Sequence, residues 1–141
     1  MTTSINSQLI NAIFSMKRIF IQEFKKQKNF CPMNYIKAEI LSHLQLYQNS
    51  KMKDVAKFLG ITPPSATTMI EKLVQEKLLE RKKDPNDRRN IILLVTTEGE
   101  TFIKKTYSQI HAIIEQTFKT LNKKDKKELI RIYGKLLNSE Q

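Results

Sequence analysis

Apolar residues recur at mixed three- and four-residue spacings over residues 7–28. There Leu9, Ile10, Ile13, Phe14, Met16, Ile19, Phe20, Ile21 and Phe24 predict an α-helix. The stripe is wider than one core face requires, so this helix is expected to pack on two sides. Lys25, Lys26 and Lys28 close it, cations that suit the negative end of the helix dipole. Residues 34–47 (Ile36, Ile40, Leu41, Leu44, Leu46, Tyr47) predict a second helix. Residues 52–59 (Val55, Ala56, Phe58, Leu59) predict a short third one that stops at Gly60.

Thr62-Pro63-Pro64 is a helix start. Thr62 suits the N-cap, and Pro63 suits the first helical position, where no N–H is needed. Ile61 and Ala66 are spaced for a small hydrophobic staple across that cap. The helix is expected to reach about Lys77. Ala66, Met69, Ile70, Leu73 and Val74 fall on one side, and Pro64, Ser65, Thr68, Glu71, Lys72 and Gln75 fall opposite. Leu78 to Lys83 and Asn90 to Thr96 flank the turn Asp84-Pro85-Asn86-Asp87. The second run is β-branched and aliphatic, and too short for a typical helix. Together they predict an antiparallel hairpin with a basic loop. Helices at about 98–119 and 123–138 complete the chain, the last with Asp125 in its first turn.

Composition narrows the class. The 141 residues are one domain's worth, 40% apolar and 28% charged, which fits a globular chain rather than a disordered one. A chain this long buries roughly two-thirds of its unfolded surface without needing staples. No apolar run is long enough to cross a membrane. The N-terminal stretch lacks the basic region and cleavage site of a secretory signal, so a cytoplasmic protein is expected. The single cysteine, Cys31, excludes an internal disulfide and fits a reducing compartment. Twenty-five Lys and Arg against fourteen Asp and Glu leave a net charge of +11, with a pI near 9.8. That is the electrostatic footprint of a nucleic-acid binder, although an acidic protein or an anionic membrane is also compatible. The excess is spread along the chain, so spacing must locate the contact.

A short helix, a tight Gly60-Ile61-Thr62 turn, a capped helix and a basic hairpin make the winged helix-turn-helix order. Ser65, Thr67 and Thr68 carry hydroxyls suited to base edges. Pro64, Lys53 and Lys72 lie where the backbone and base edges of a duplex would be met. Arg81, Lys82, Lys83, Arg88 and Arg89 put five cations within nine residues, a finger suited to an adjacent minor groove. Residues 52–99 resemble the DNA-binding lobe of the MarR family of transcriptional regulators. The family's wing signature reads Asp-x-Arg-x-x-x-Leu-x-Leu-Thr. Here Asp87, Arg89, Leu93, Val95 and Thr96 stand in register, followed by Gly99, with Val95 replacing the second Leu.

The resemblance implies a mainly α fold with a small β-hairpin wing. Its DNA-binding lobe would be 34–97, and residues 5–30 with 98–140 would form a helical dimerisation lobe. It implies a homodimeric repressor on a palindromic duplex operator, released by a small aromatic or anionic effector. Phe20, Met33 and Tyr35 are the candidate effector lining. Arg89 would approach the minor groove, and Asp87 would hold Arg89 or the wing backbone by an ion pair. Two positions depart from the family pattern: Thr68 stands where many members have Arg, and Lys77 where many have Gly.

Competing readings attach to particular residues. Cys31 is a candidate redox trigger, with Lys26 and Lys28 near it in sequence. The plainer reading is a small, inert, partly buried residue. Cys31, His43 and His111 lack the close spacing of a metal motif, and His111 is expected to pack on the stripe of Tyr107, Ile114 and Phe118. No phosphate loop, nucleophile–base motif or paired catalytic carboxylates are present, so no enzyme and no cofactor are expected. The rival of another class is a basic helical adaptor for an acidic protein or membrane, without DNA recognition.

Overall fold

The computed structural model describes residues 3–139. Its elements are α1 (Ile5–Lys26), α2 (Pro32–Leu46), α3 (Met52–Leu59), α4 (Pro63–Gln75), β1 (Leu79–Lys83), β2 (Ile91–Val95), α5 (Thr97–Thr117) and α6 (Lys123–Asn138). The order, number and type of elements follow the sequence periodicity, with ends shifted by one to three residues where fraying competes with capping. Packing divides the chain into two units, Asn29–Ile110 and Met1–Lys28 with His111–Gln141.

The Asn29–Ile110 unit is a winged helix. Ile40, Leu41 and Leu44 of α2, Val55 and Ala56 of α3, and Ala66, Ile70 and Leu73 of α4 meet Leu79, Leu93 and Ile103 in one buried cluster. Ile61 packs against the same cluster as Ala66, as a staple across the α4 cap would require. The strands pair antiparallel, Leu79 opposite Val95 through Lys83 opposite Ile91. Lys37 Nζ reaches Glu76 Oε2 at 2.9 Å, tying α2 to the end of α4.

Two reversals shape this unit. Gly60 ends α3 at φ +67°, a left-handed conformation natural to glycine. Lys77 adopts the same region at φ +61° directly after α4. Leu78 N–H then donates to the Leu73 carbonyl at 3.0 Å, the long closing bond of a helix C-terminus. The helix therefore stops at Gln75 rather than continuing to Lys77, and lysine occupies a position where glycine would be unstrained.

The other unit holds α1, α6 and the end of α5. Ser4 caps α1, its Oγ accepting from Ser7 N–H at 3.1 Å. Asn122 and Asp125 form a reciprocal capping box on α6, with Asp125 N–H to Asn122 Oδ1 at 2.9 Å and Asn122 N–H to Asp125 Oδ2 at 3.2 Å. Phe20 packs edge-on against Phe118 and is stacked with Phe24. Among the described residues, none of α1 or α6 is buried. Leu9, Ile10, Ile13, Phe14, Ile130, Tyr133, Leu136 and Leu137 are exposed despite their helical periodicity.

His111 does not pack as expected. Its side chain is 81% exposed, 3.8 Å from Glu115 one turn on. A position at the margin of an apolar stripe turns outward when the stripe is narrower than the sequence spacing implies. Cys31 is likewise exposed rather than partly buried, because it sits at the N-cap of α2, outside the first turn.

Candidate nucleic-acid interface

The N-terminus of α4 begins with Thr62 Oγ1, which accepts from Ser65 N–H at 3.4 Å. Pro63 and Pro64 follow in the first turn, where a missing N–H costs nothing. Alanine, isoleucine and leucine at 66, 70 and 73 anchor one side of the helix in the core. That anchoring rotates Pro64, Ser65, Thr68 and Lys72 outward, all exposed, with Thr67 half-buried at the edge of the face. Thr67 Oγ1 donates to the Pro63 carbonyl and Thr68 Oγ1 to the Pro64 carbonyl, each at 3.1 Å. Their hydroxyl protons are thereby occupied, so outward they present acceptor lone pairs, suited to the exocyclic amines of adenine and cytosine. Glu71, exposed on the same face, is a further acceptor suited to the cytosine amine. The sequence placed Glu71 on this side without giving it a role.

The wing tip is built by its two aspartates. Asp84 Oδ1 accepts from Asn86 N–H at 2.9 Å, and Asp84 N–H donates to the Asn90 carbonyl at 3.0 Å. Asp87 Oδ1 accepts from Arg89 N–H at 3.0 Å, and Oδ2 from Asn90 Nδ2 at 3.3 Å. Asp87 thus holds Arg89 through its backbone, and the expected ion pair is replaced by an Asx turn. Short Asp side chains reach backbone N–H groups two residues on more readily than they reach a flexible guanidinium. The consequence favours binding: among the described residues, Arg88 and Arg89 have no carboxylate ion-pair partner, and both are exposed. Lys82 differs, with its Nζ 3.0 Å from Glu80 Oε1 in an exposed pair worth little energetically.

Lys53 is exposed in the first turn of α3, beside the Lys51–Asp54 cap, where Lys51 N–H donates to Asp54 Oδ2 at 2.9 Å. A cleft of about 560 Å³ runs between this cap, Thr67 and the hairpin residues Arg81, Asp84 and Asn90. Lys51 and Arg81 bring cations to it. Sequence reasoning passed over Lys51, whose only signal was its place just ahead of α3.

Thr96 joins the wing to α5. Its Oγ1 donates to the Lys77 carbonyl at 2.6 Å and accepts from Gly99 N–H at 3.0 Å. A Cβ on Gly99 would stand 2.3 Å from the Leu78 carbonyl oxygen and 2.7 Å from Val95 Cγ1, so the wing base closes only over glycine.

The candidate effector residues fall in different units. Met33 and Tyr35 are exposed on the first turn of α2, while Phe20 belongs to the unit of α1. Although Tyr35 is exposed overall, the partial burial of its phenol and then the Glu39 carboxylate push it above its ordinary range. Among the described residues, no group of three or more His, Cys, Asp or Glu is placed to hold a metal ion, and no helix is long and apolar enough to cross a membrane.

Residues 34–91 match the model of the MarR family. The HTH-type transcriptional regulator SarR of Staphylococcus aureus strain USA300 is 31% identical over 111 residues, covering 77% of this chain and 93% of SarR. The chain belongs to the MarR family. Solved members share the fold. The S. aureus MepR–DNA complex superposes with a TM-score of 0.65 at 19% identity, over 98% of this chain and 97% of MepR. BpsR of Bordetella bronchiseptica, whose DNA binding is regulated by 6-hydroxynicotinic acid, superposes at 0.66 and 23% identity, over 94% of this chain and 92% of BpsR. The family match ends within β2. The SarR likeness, over 111 residues, reaches beyond that segment, and the superpositions extend the likeness of fold over nearly the whole chain.

Proposed function

We propose that this MarR-family regulator binds double-stranded DNA sequence-specifically as a homodimeric repressor. The observation that carries the reading is the outward face of α4, with Ser65, Thr68 and Lys72 exposed, in the same winged unit as a tip whose two arginines lack carboxylate partners among the described residues. Under this reading Ser65, Thr67 and Thr68 contact base edges, with Pro64 against them. Lys53, Lys72, Lys82 and Arg88 contact phosphates, Arg89 enters the minor groove and Asp87 shapes the tip. Residues 34–97 form the DNA-binding lobe, and 5–30 with 98–140 the dimerisation lobe. The exposed apolar faces of α1 and α6 support self-association, because uncovered patches of that kind mark interfaces.

Two half-sites on one duplex then give a palindromic operator. A small aromatic or anionic effector, with Phe20, Met33 and Tyr35 as candidate contacts, favours a dimer geometry that no longer matches the half-site spacing. It shifts that equilibrium only by its difference in affinity for the two states. The MepR–DNA complex and the effector control of BpsR support the reading by analogy. Selection of bound duplexes from a random pool with purified protein tests it. A palindromic consensus is expected, and no enrichment over input overturns it.

Exposure of Cys31 favours a second reading of the release step, in which oxidation of this thiol frees the operator. Peroxide-triggered release that persists in Cys31→Ser excludes that trigger.

A further inference from the structure

With Ala66, Ile70 and Leu73 of α4 turned into the core, Pro64, Thr68, Glu71 and Gln75 fall on the line directly opposite, and all four are exposed. Lys72 lies to one flank of that line. A flank suits the groove wall, where phosphates are met, whereas the midline faces the base edges. A carboxylate on that midline is repelled by a polyanion unless it gains a specific hydrogen bond there. The neighbouring carboxylates of the winged unit are engaged elsewhere. Asp54 Oδ2 accepts from Lys51 N–H at 2.9 Å, Glu76 Oε2 is 2.9 Å from Lys37 Nζ, and Glu80 Oε1 is 3.0 Å from Lys82 Nζ. Asp84 and Asp87 accept from backbone N–H groups of the wing tip. Glu71 differs: among the described residues, no ion pair or side-chain hydrogen bond engages it. Thr68, one turn before it, carries no charge, and its hydroxyl proton is given to the Pro64 carbonyl.

We propose that Glu71 is a specificity-determining residue that reads the exocyclic amine of a cytosine in the major groove. This rests on the DNA-binding reading of α4 and adds what that face selects. One proton of the cytosine N4 amine is held by the paired guanine, and the other points into the groove, where a carboxylate oxygen accepts it. Guanine presents O6 and N7 there and thymine O4, acceptors that repel a carboxylate. Adenine offers an amine, but its N7 acceptor stands beside it and opposes the second carboxylate oxygen. That pattern suits an amide, which carries both a donor and an acceptor. Glutamine at position 71 therefore exchanges cytosine for adenine at one place in the site. Removing the charge also strengthens binding to duplex that lacks the site, because the repulsion goes with it. An idle surface carboxylate would give that second effect alone and leave the base preference untouched.

The test selects bound duplexes from a random pool with the full-length wild type and, in parallel, with Glu71→Gln. Glutamate and glutamine have similar helix propensities, so the fold is expected to be retained. One position of the bound half-site is expected to change from cytosine to adenine while the others stay. Titrations at fixed salt then compare the wild-type consensus duplex with its counterpart carrying adenine at that position. The wild type should favour cytosine by about 5- to 100-fold, and Glu71→Gln should lose or invert that preference. A consensus identical in wild type and variant overturns the assignment and leaves the DNA-binding reading intact. So does a change confined to a position where the wild type did not select cytosine. A wild type that enriches no duplex overturns both readings together. If Glu71→Gln showed reduced helix content by circular dichroism, Glu71→Ala would decide, since alanine is the strongest helix former. That variant should lose the cytosine preference without gaining one for adenine, and a preference kept at full strength overturns the contact.

Discussion

The winged unit and the unit of α1 and α6 use similar apolar periodicities to opposite ends. In the winged unit the periodic residues close on one another: Ile40, Leu41, Leu44, Ile70 and Leu73 are sealed at 0–1% exposure. In the other unit Leu136 and Leu137 stand at 61% and 67% exposure, on a helix whose N-terminus is closed by a reciprocal capping box. A helix with a satisfied N-terminus and an uncovered apolar face is locally well formed and globally unfinished. Helical stability comes mainly from packing rather than propensity, so this face calls for a partner surface. Under the proposed function, the DNA-contacting elements would stand on a closed core, and the helices proposed for dimerisation would gain order from what they meet.

Replacing a core residue should sharpen the contrast most. Ile70→Ala is expected to lower unfolding stability by about 2–5 kcal/mol through reduced burial and the cavity left behind. That effect should be independent of protein concentration in urea titrations. Leu136→Ala should instead act through association, weakening the dimer by about 1 kcal/mol or more in sedimentation equilibrium. If Leu136→Ala acted like Ile70→Ala, with no concentration dependence, the two units would not differ in the way argued.

Gly99→Ala comes next. The added methyl meets the Leu78 carbonyl and Val95, and overpacking there should cost about 1–3 kcal/mol, read as a lowered Tm. Arg89→Ala should leave Tm unchanged but weaken operator binding by about 1–3 kcal/mol in a titration at fixed salt, since Asp87 shapes the tip through the backbone alone. The smallest effect is a gain. Lys77→Gly should stabilise the winged unit by about 0.5–1 kcal/mol, because glycine accepts φ +61° without strain while adding unfolded-state entropy. A drop in stability in that variant would mean the Lys77 side chain makes a compensating contact.

Most of the fold was legible because its signals are local. Thr62-Pro63-Pro64 announces α4 through a cap spanning three residues, whereas for α6 the sequence signal was only Asp125 in the first turn, and the structure adds its reciprocal box with Asn122. The face of α4 was legible for the same reason, since alternation of Ala66, Ile70 and Leu73 with Ser65, Thr68 and Lys72 fixes inside and outside together. Less was legible where several partners compete for one group. Asp87 had both a guanidinium and two donors on its own turn within reach, and only the folded tip shows that the turn wins. His111 was misplaced because sequence spacing reports a helix stripe but not how wide a strip of it the rest of the molecule covers, and Cys31 because its place at the N-cap of α2 leaves it outside the packed turns.

By itself, the order of residues determined the helices, the hairpin, the capped entry to α4, the cationic tip and the family to which they belong, all through interactions a few residues long. Tertiary structure alone decided that Thr96 ties the wing to α5 through the Lys77 carbonyl, and that this joint closes only over Gly99 against Leu78 and Val95. Those outcomes depend on which groups distant in sequence arrive at the same place. Chain closure sets that, and no short-range pattern encodes it.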